Sequence, residues 1–244
     1  MITRPLPYSP YPRSSGERAS GTRPADAGLI PFVTQREGEE AAPNNLFLEK
    51  TAVRQHRLRY QDEDPRDRDH RGVLWARCSL NPVDGRLQPT GAPQWKLMHP
   101  LRQRLTMQAM RCQVCAQPAK TPLGYFFLAG PHDIDTSEPP VLTSQPPVCA
   151  KHVRVAIRLC PHLRRDTTVF LARSAPLYGV LGVVYGYGYG YGQGGVHVVA
   201  CPDSPLPYGH PNLDTFLASQ LVRRLTIYRV VGLDELANVM GQVT

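Results

Sequence analysis

Cys112-Gln-Val-Cys115, followed after thirty-three residues by Cys149-Ala-Lys-His152, provides two ligand pairs with the same internal spacing. Thiolate sulfur and imidazole nitrogen are donors that zinc prefers. Two such pairs can each clamp one edge of a tetrahedron around a single ion. Three thiolates and one imidazole would fill the coordination shell, and a closed shell implies a structural ion rather than a catalytic one. The first pair is predicted in a tight turn continued by Ala116-Gln-Pro-Ala119. The second is predicted at a helix start, where free backbone N–H groups favour thiolate over thiol. Cys160 or His162 is an alternative fourth ligand in place of His152. A further reading leaves all the cysteines as buried thiols, since Cys is among the most buried residue types.

Positive charge surrounds these ligands. The chain carries a net charge of +8, and residues 96–173 alone hold eleven Lys/Arg against four Asp/Glu. The predicted helix after Cys149 lines one face with Lys151, Arg154 and Arg158. Arg164, Arg165, Arg102, Arg104 and Arg111 add to the same neighbourhood, so DNA or RNA phosphates are the expected polyanion. Only four of the twenty-eight basic residues are Lys, and an Arg-, Pro- and Gly-heavy composition also arises in GC-rich genomes without regard to function. The competing expectation is therefore a protein-interaction adaptor with a purely structural zinc. An HNH-like nuclease is the enzymatic alternative, because such nucleases use a similar zinc frame. The remaining candidates for its base and hydrolytic metal, His132-Asp133, His162 and His197, show no spacing that brings them together. No phosphate-cradling loop is present: Gly186 to Gly195 lacks the Lys and following Ser/Thr of a nucleotide site. A non-catalytic protein is expected.

The elements that must position the ligands follow from periodicity. Residues 72–80 (GVLWARCSL) alternate as a strand would, and Asp84-Gly85 marks a turn, so a loose hairpin is expected over about 73–97. Pro100 stands at a first helical position, with Leu101, Leu105 and Ala109 at helical spacing as the buried face. Leu123 to Ala129 reads as a buried strand, with residues 140–143 as its return partner. Residues 150–160 place Val153, Ala156, Ile157 and Cys160 on one helical face, and Pro161 stops the helix. Knuckle, apolar hairpin and a helix carrying the last two ligands is the order of a treble-clef zinc finger. Beyond it, strands are expected at 168–173, 178–185 and 195–201. A helix at about 212–225 follows, capped by Asn212, with Leu213, Phe216, Leu217, Leu221 and Leu225 as its stripe. A strand at 227–231 and a helical turn at 234–240 close the chain. The repeat Tyr185 to Gly192 would place its tyrosines on one strand face, where they can stack on unpaired bases. A slippage-derived loop is the plainer account.

Residues 1–71 are rich in Pro, Arg, Asp, Gly and Ser without a sustained apolar period, which predicts a disordered arm. Within it, 44–60 can form a short helix. The fold expected is α+β: a disordered arm, then a zinc-stabilised domain over 72–244. In that domain a treble-clef-like finger (about 100–165) is fused to a small antiparallel sheet with one packed helix (about 166–244). No run approaches the roughly 20 apolar residues of a membrane span, and no secretory leader is evident, so a soluble, cytoplasmic protein is expected. In a reducing compartment the six cysteines favour metal over disulfides, leaving Cys78, Cys160 and Cys201 as core residues.

The stretches His99 to Arg104, Arg111 to Cys115, Pro146 to Cys149, Arg158 to Arg164 and Ala218 to Val222 resemble a group of uncharacterised actinobacterial proteins of unknown function. The likeness spans roughly residues 72–236. In that group the second metal pair is usually Cys-x-x-Cys, so His152 is a departure that zinc chemistry accommodates. The resemblance implies a fold and a metal, and no activity.

Overall fold

The computed structural model describes residues 29–42, 45–52, 56–85, 88–130, 140–160, 163, 167–187 and 195–242. The elements run β1 (Thr34–Arg36), β2 (Leu46–Lys50), β3 (His56–Tyr60), β4 (Leu74–Trp75), β5 (Pro93–Met98), α1 (Pro100–Gln108), β6 (Tyr125–Ala129), β7 (Val141–Thr143) and α2 (Ala150–Leu159). They continue with β8 (Thr168–Ser174), β9 (Leu177–Tyr187), β10 (Val196–Ala200), β11 (Leu206–Pro207), β12 (Phe216–Leu225), β13 (Ile227–Val231) and α3 (Leu236–Gly241). The class is α+β, mostly sheet with few helices. Among the described residues no helix is long and apolar enough to cross a membrane.

β9 and β12 pair antiparallel along most of their length and form the spine of a six-stranded sheet. β10 and β11 pair with β9, β7 pairs antiparallel with β12, and β4 lies parallel to β12. The close approach within the spine requires a bare backbone at Gly182, where a Cβ would fall 2.1 Å from the Leu217 carbonyl oxygen. A second sheet, of three antiparallel strands, has the order β13-β8-β6. Val73, Trp75, Met107, Val180, Phe216 and Leu221 form a core where α1 meets the six-stranded sheet. Leu217, Val183 and Tyr185 pack instead with Leu48, Leu58 and Tyr60 of the β2–β3 hairpin. Phe127, Phe170, Val141 and Leu225 join the two sheets. Phe126, Leu128, Val169, Leu171 and Val153 pack around Cys112 on the other face of the three-stranded sheet.

Several expectations are corrected. The predicted helix at 212–225 is a 3-10 turn, Pro211–Thr215, followed by strand β12. β12 is buried on both faces, so apolar residues occupy positions of both parities. Bulges at Ala218/Gln220 and Val222/Arg223 shift the alternation further, and the resulting spacing imitates a helix. The arm expected over 1–71 is ordered from residue 29 as far as it is described, and residues 1–28 lie outside the described residues. Residues 46–50 and 56–60 form the antiparallel pair β2–β3 rather than a helix. Of the hairpin expected over 73–97 only the tip forms, an antiparallel bridge between Val83 and Pro89 with Asp84 N–H on Gln88 O at 2.8 Å and Thr90 N–H on Pro82 O at 2.9 Å, while β4 joins β12 and β5 pairs with β1. The stop at Pro161 and the loop His132 to Glu138 also lie outside the described residues.

The charged stretch 61–71 is held by ion pairs. Asp64 caps a 3-10 turn, Pro65–Asp67, with reciprocal side-chain bonds between Asp64 and Asp67. Arg68 is bound by Glu63 at 2.8 Å and donates to the carbonyls of Leu58 and Gly72. Arg77 binds Asp62 and Asp67 and stacks 4.1 Å from the Tyr60 ring centroid. Burial pushes the Tyr60 hydroxyl up to about 12.

α1 forms where Pro100 predicts it, but the buried face is Arg102, Gln103, Thr106 and Met107. Leu105 is exposed. Leucine spacing misreads the helix because its inner face is chosen by polar partners. Arg102 makes a bidentate pair with Glu39 at 2.6 Å for both contacts. Gln103 brackets the Leu221 peptide, donating to its carbonyl and accepting from its N–H at 2.8 Å each. Arg223 donates to the carbonyls of Met107 and Gln108, satisfying the helix C-terminus.

Candidate metal centre

The first ligand pair is shaped by its own backbone. Cys112 N–H donates to Gln117 O and Ala116 N–H to Cys112 O, both at 2.8 Å, while Val114 N–H points at Cys112 Sγ at 3.4 Å. Closing this knuckle places Ala116 at φ 58°, a conformation that a small residue adopts most readily. The predicted turn is therefore present, and its short continuation has a steric reason. Two neighbouring segments fasten it. Phe32 and Val33 donate to the carbonyls of Val114 and Gln113, and Gln113 N–H donates to Pro147 O at 2.9 Å. Residues 31–33, expected to be disordered, thus lie across the knuckle.

The second pair comes from the start of α2. Cys149 is the N-cap, and His152 sits three residues into the helix with its N–H on Cys149 O at 2.9 Å. Val148, just before Cys149, donates to Phe126 O of β6 at 2.8 Å, which ties the helix entry to the three-stranded sheet. Val153 is buried, and Ala156, Ile157 and Cys160 pack against the same core, as periodicity predicts.

These elements bring Cys112 Sγ, Cys115 Sγ, Cys149 Sγ and a His152 ring nitrogen within 4.8 Å of one another. Cys115 Sγ lies 3.9 Å from Cys149 Sγ; His152 Nδ1 lies 3.2 Å from Cys149 Sγ and 3.8 Å from Cys112 Sγ. Around a tetrahedral zinc with bonds of about 2.3 Å to sulfur and about 2.0 Å to nitrogen, donor atoms stand about 3.5–3.8 Å apart, so the cluster has the required size. Hydrogen bonds from Cys115 and Cys149 hold the Cys112 thiol far below its ordinary range, and the same contacts push Cys149 upward. Three thiols this close cannot all ionise without a cation to offset their charge. His152, and not Cys160, completes the group. His162 lies outside the described residues.

The frame departs from the expected order at one point. β6 and β7, predicted to form a hairpin between the ligand pairs, belong to different sheets: β6 pairs with β8 and β7 with β12. The isolated bridge between Phe126 and Val148 is the direct link from β6 to the second pair.

The basic residues divide. Lys151, Arg154 and Arg158 are exposed on α2, which carries no acidic residue, and Arg111 is exposed beside the knuckle with Nη1 on Ala116 O at 3.0 Å. Arg102 is 2 % exposed and committed to Glu39, so it is no surface contact. Arg104 is half-buried, stacked 5.1 Å from the Trp75 ring and donating to Arg66 O. Arg164 and Arg165 lie outside the described residues. Tyr185 is buried against the β2–β3 pair, whereas Tyr187 is 53 % exposed with its hydroxyl donating to Leu48 O at 3.0 Å. The rest of the repeat, 188–192, lies outside the described residues. His197 is exposed on β10 with its ring on Gly195 O, and His132-Asp133 lies outside the described residues. Cys201, expected in the core, is exposed; Cys78 is half-buried, and burial pushes its thiol up to about 11.

Sequence reasoning missed a second polar cluster, formed by Glu39, Arg36, Arg102 and His99, each at most 2 % exposed. No periodic signal marks it, because Glu39 and Arg102, its central pair, are 63 residues apart. Comparison of the chain with family models, with curated proteins and with solved structures gave no match.

Proposed function

We propose that the protein carries one structural zinc ion on Cys112, Cys115, Cys149 and His152, in a treble-clef-like finger whose hairpin is reduced to the Phe126–Val148 bridge. On this reading it is a non-catalytic module that binds DNA or RNA phosphates through the outer face of α2. The observation that carries the reading is the exposure of Lys151, Arg154 and Arg158 on the same helix whose first turn holds two ligands. A helix pinned at its first turn presents its cations in fixed register, and arginine is suited to phosphate.

Metal analysis of protein purified without chelator is expected to find one zinc per chain; folded, metal-free protein overturns the site. Anisotropy titrations with labelled DNA and RNA are expected to show binding at about 50 mM salt that falls steeply as salt rises. The double variant Lys151→Gln, Arg154→Gln is expected to weaken binding while keeping its zinc. No binding at about 50 mM salt removes the nucleic-acid reading. The zinc would then staple a protein-interaction adaptor, a reading favoured by the exposed Trp95 and Leu97, which share one face of β5.

A further inference from the structure

A cleft of about 480 Å³ lies between residues 71–73 on one side and residues 208–211, 213 and 214 on the other. Its volume is in the range of small-molecule sites. One buried carboxylate fixes both walls: Asp69 accepts from the N–H groups of Arg71 and Val73 at 2.9 and 3.1 Å, from the Tyr208 hydroxyl at 2.8 Å and from Trp75 Nε1 at 3.3 Å. The cleft is therefore formed before any ligand arrives, and a ligand need not order it. Arg71 is also held in place, with its guanidinium carbon 4.2 Å from the Tyr208 ring centroid and its Nε donating to His70 Nε2 at 3.3 Å. Its two terminal nitrogens have no hydrogen-bond partner among the described residues, and neither has the carboxylate of Asp214. Arg57 adds a second cation to the Arg71 wall, its Nη2 standing 3.6 Å from where a Cβ at Gly72 would be. The two walls thus carry opposite charges that are not paired with each other.

We propose that this cleft binds a free α-amino acid with an apolar side chain, its carboxylate on Arg71 and its ammonium group on Asp214. A planar guanidinium whose Nε is already engaged presents Nη1 and Nη2, the paired donors that match a carboxylate. A ligand with an anion alone would leave Asp214 beside like charge, and a ligand with a cation alone would face Arg71 and Arg57. A dipolar ligand satisfies both walls, and the α-amino acid carries carboxylate and ammonium on one carbon. A phosphate monoester, with up to two negative charges, is disfavoured by the Asp214 carboxylate. Pro211 and Leu213 line the same wall as Asp214 and give the ligand's side chain an apolar surface to cover.

Heteronuclear NMR titration of the full chain with L-leucine is expected to shift amides at residues 71–73 and 208–214 and to saturate with a Kd of about 1 mM or tighter. N-acetyl-L-leucine, which lacks the ammonium group, and L-leucinamide, which lacks the carboxylate, are each expected to bind about tenfold more weakly or worse. Arg71→Gln is expected to weaken L-leucine and N-acetyl-L-leucine alike, by about tenfold. Asp214→Asn is expected to weaken L-leucine about tenfold and to leave N-acetyl-L-leucine unchanged, with circular dichroism and zinc content as in the wild type. Should either variant fail to fold, the three ligands on the wild-type chain decide. The proposal is overturned by no shift at these residues up to about 10 mM L-leucine, by N-acetyl-L-leucine or L-leucinamide binding as tightly as L-leucine, or by a folded variant with unchanged affinity for L-leucine.

Discussion

Glu39 is 1 % exposed and accepts from both terminal nitrogens of Arg102, from Arg36 N–H at 2.8 Å and from Asn81 N–H at 3.3 Å. Burial by itself would raise its carboxyl, but the hydrogen bonds from Arg102 and the Arg36 backbone hold it below the usual carboxylate value. Burial lowers Arg36, and the nearby Arg102 charge lowers it further. A single carboxylate thus serves two enclosed guanidiniums. Glu39→Gln keeps the volume and removes the anion, and is expected to cost about 3–5 kcal/mol, measured by urea unfolding at neutral pH. The pH dependence has a definite sign. A carboxyl depressed by folding contributes stability that is present above its unfolded value of about 4.3 and lost as pH falls through the lower folded value. Glu63 and Asp67 are depressed despite burial, through bonds to Arg68 and Arg77 respectively. Unfolding free energy is therefore expected to fall below about pH 4, and less steeply in Glu39→Gln than in the wild type. Equal slopes would show that Glu39 does not titrate with folding.

At the scale of elements, α1 and β12 are joined by polar side chains as much as by apolar ones. Gln103 satisfies both the N–H and the C=O of Leu221 and also donates to Ser144 O at 2.8 Å. β12 can therefore sit beside a helix without stranding its backbone at the bulge near Gln220. Hydrophobicity alone would favour leucine at position 103, since the site is fully buried. Gln103→Leu is instead expected to destabilise by about 2–4 kcal/mol, because two buried backbone groups lose their partners. Thermal and denaturant unfolding with circular dichroism measure it. A neutral or stabilised variant would mean that water or a shifted strand satisfies Leu221. The same interface explains why α1 hid its inner face from pattern reading. The leucine row turns outward, and the inner row is chosen by Glu39 and the Leu221 peptide, both remote in sequence.

For the molecule as a whole, the metal centre is where three separate segments converge: residues 31–33, the knuckle and the entry to α2. The core around Cys112 includes β6, β8, Val153 and the α3 residues Leu236 and Val239. The core between α1 and the six-stranded sheet contains none of the ligands. Binding of a structural zinc contributes on the order of 10–16 kcal/mol, comparable to the whole stability of a domain. Chelation is therefore expected to abolish amide protection at residues 125–129 and 150–158, while β9 and β12 keep the larger share of theirs. Hydrogen exchange before and after chelator reports both regions at once. Unchanged protection around Cys112 would mean that apolar packing alone holds that half.

What the sequence by itself determined is what short-range spacing encodes. The two ligand pairs, the knuckle turn, α1 and α2, and the strands β6, β8, β9, β10 and β13 are legible because turn chemistry, apolar runs and the Val153–Ala156–Ile157 stripe are local patterns. Tertiary structure alone decided the rest. Residues 29–71 read as solvated because their charges are dense, yet Glu39 is enclosed by Arg102, 63 residues further on. β12 read as a helix because a strand buried on both sides loses its alternation. β7 and β4 both pair with β12 and not with their neighbours in sequence, because strand pairing is set by which faces remain to be covered. The physical reason is common to all three: burial and ion pairing depend on neighbours distant in the chain, whereas metal-ligand spacing and turn geometry are properties of adjacent residues.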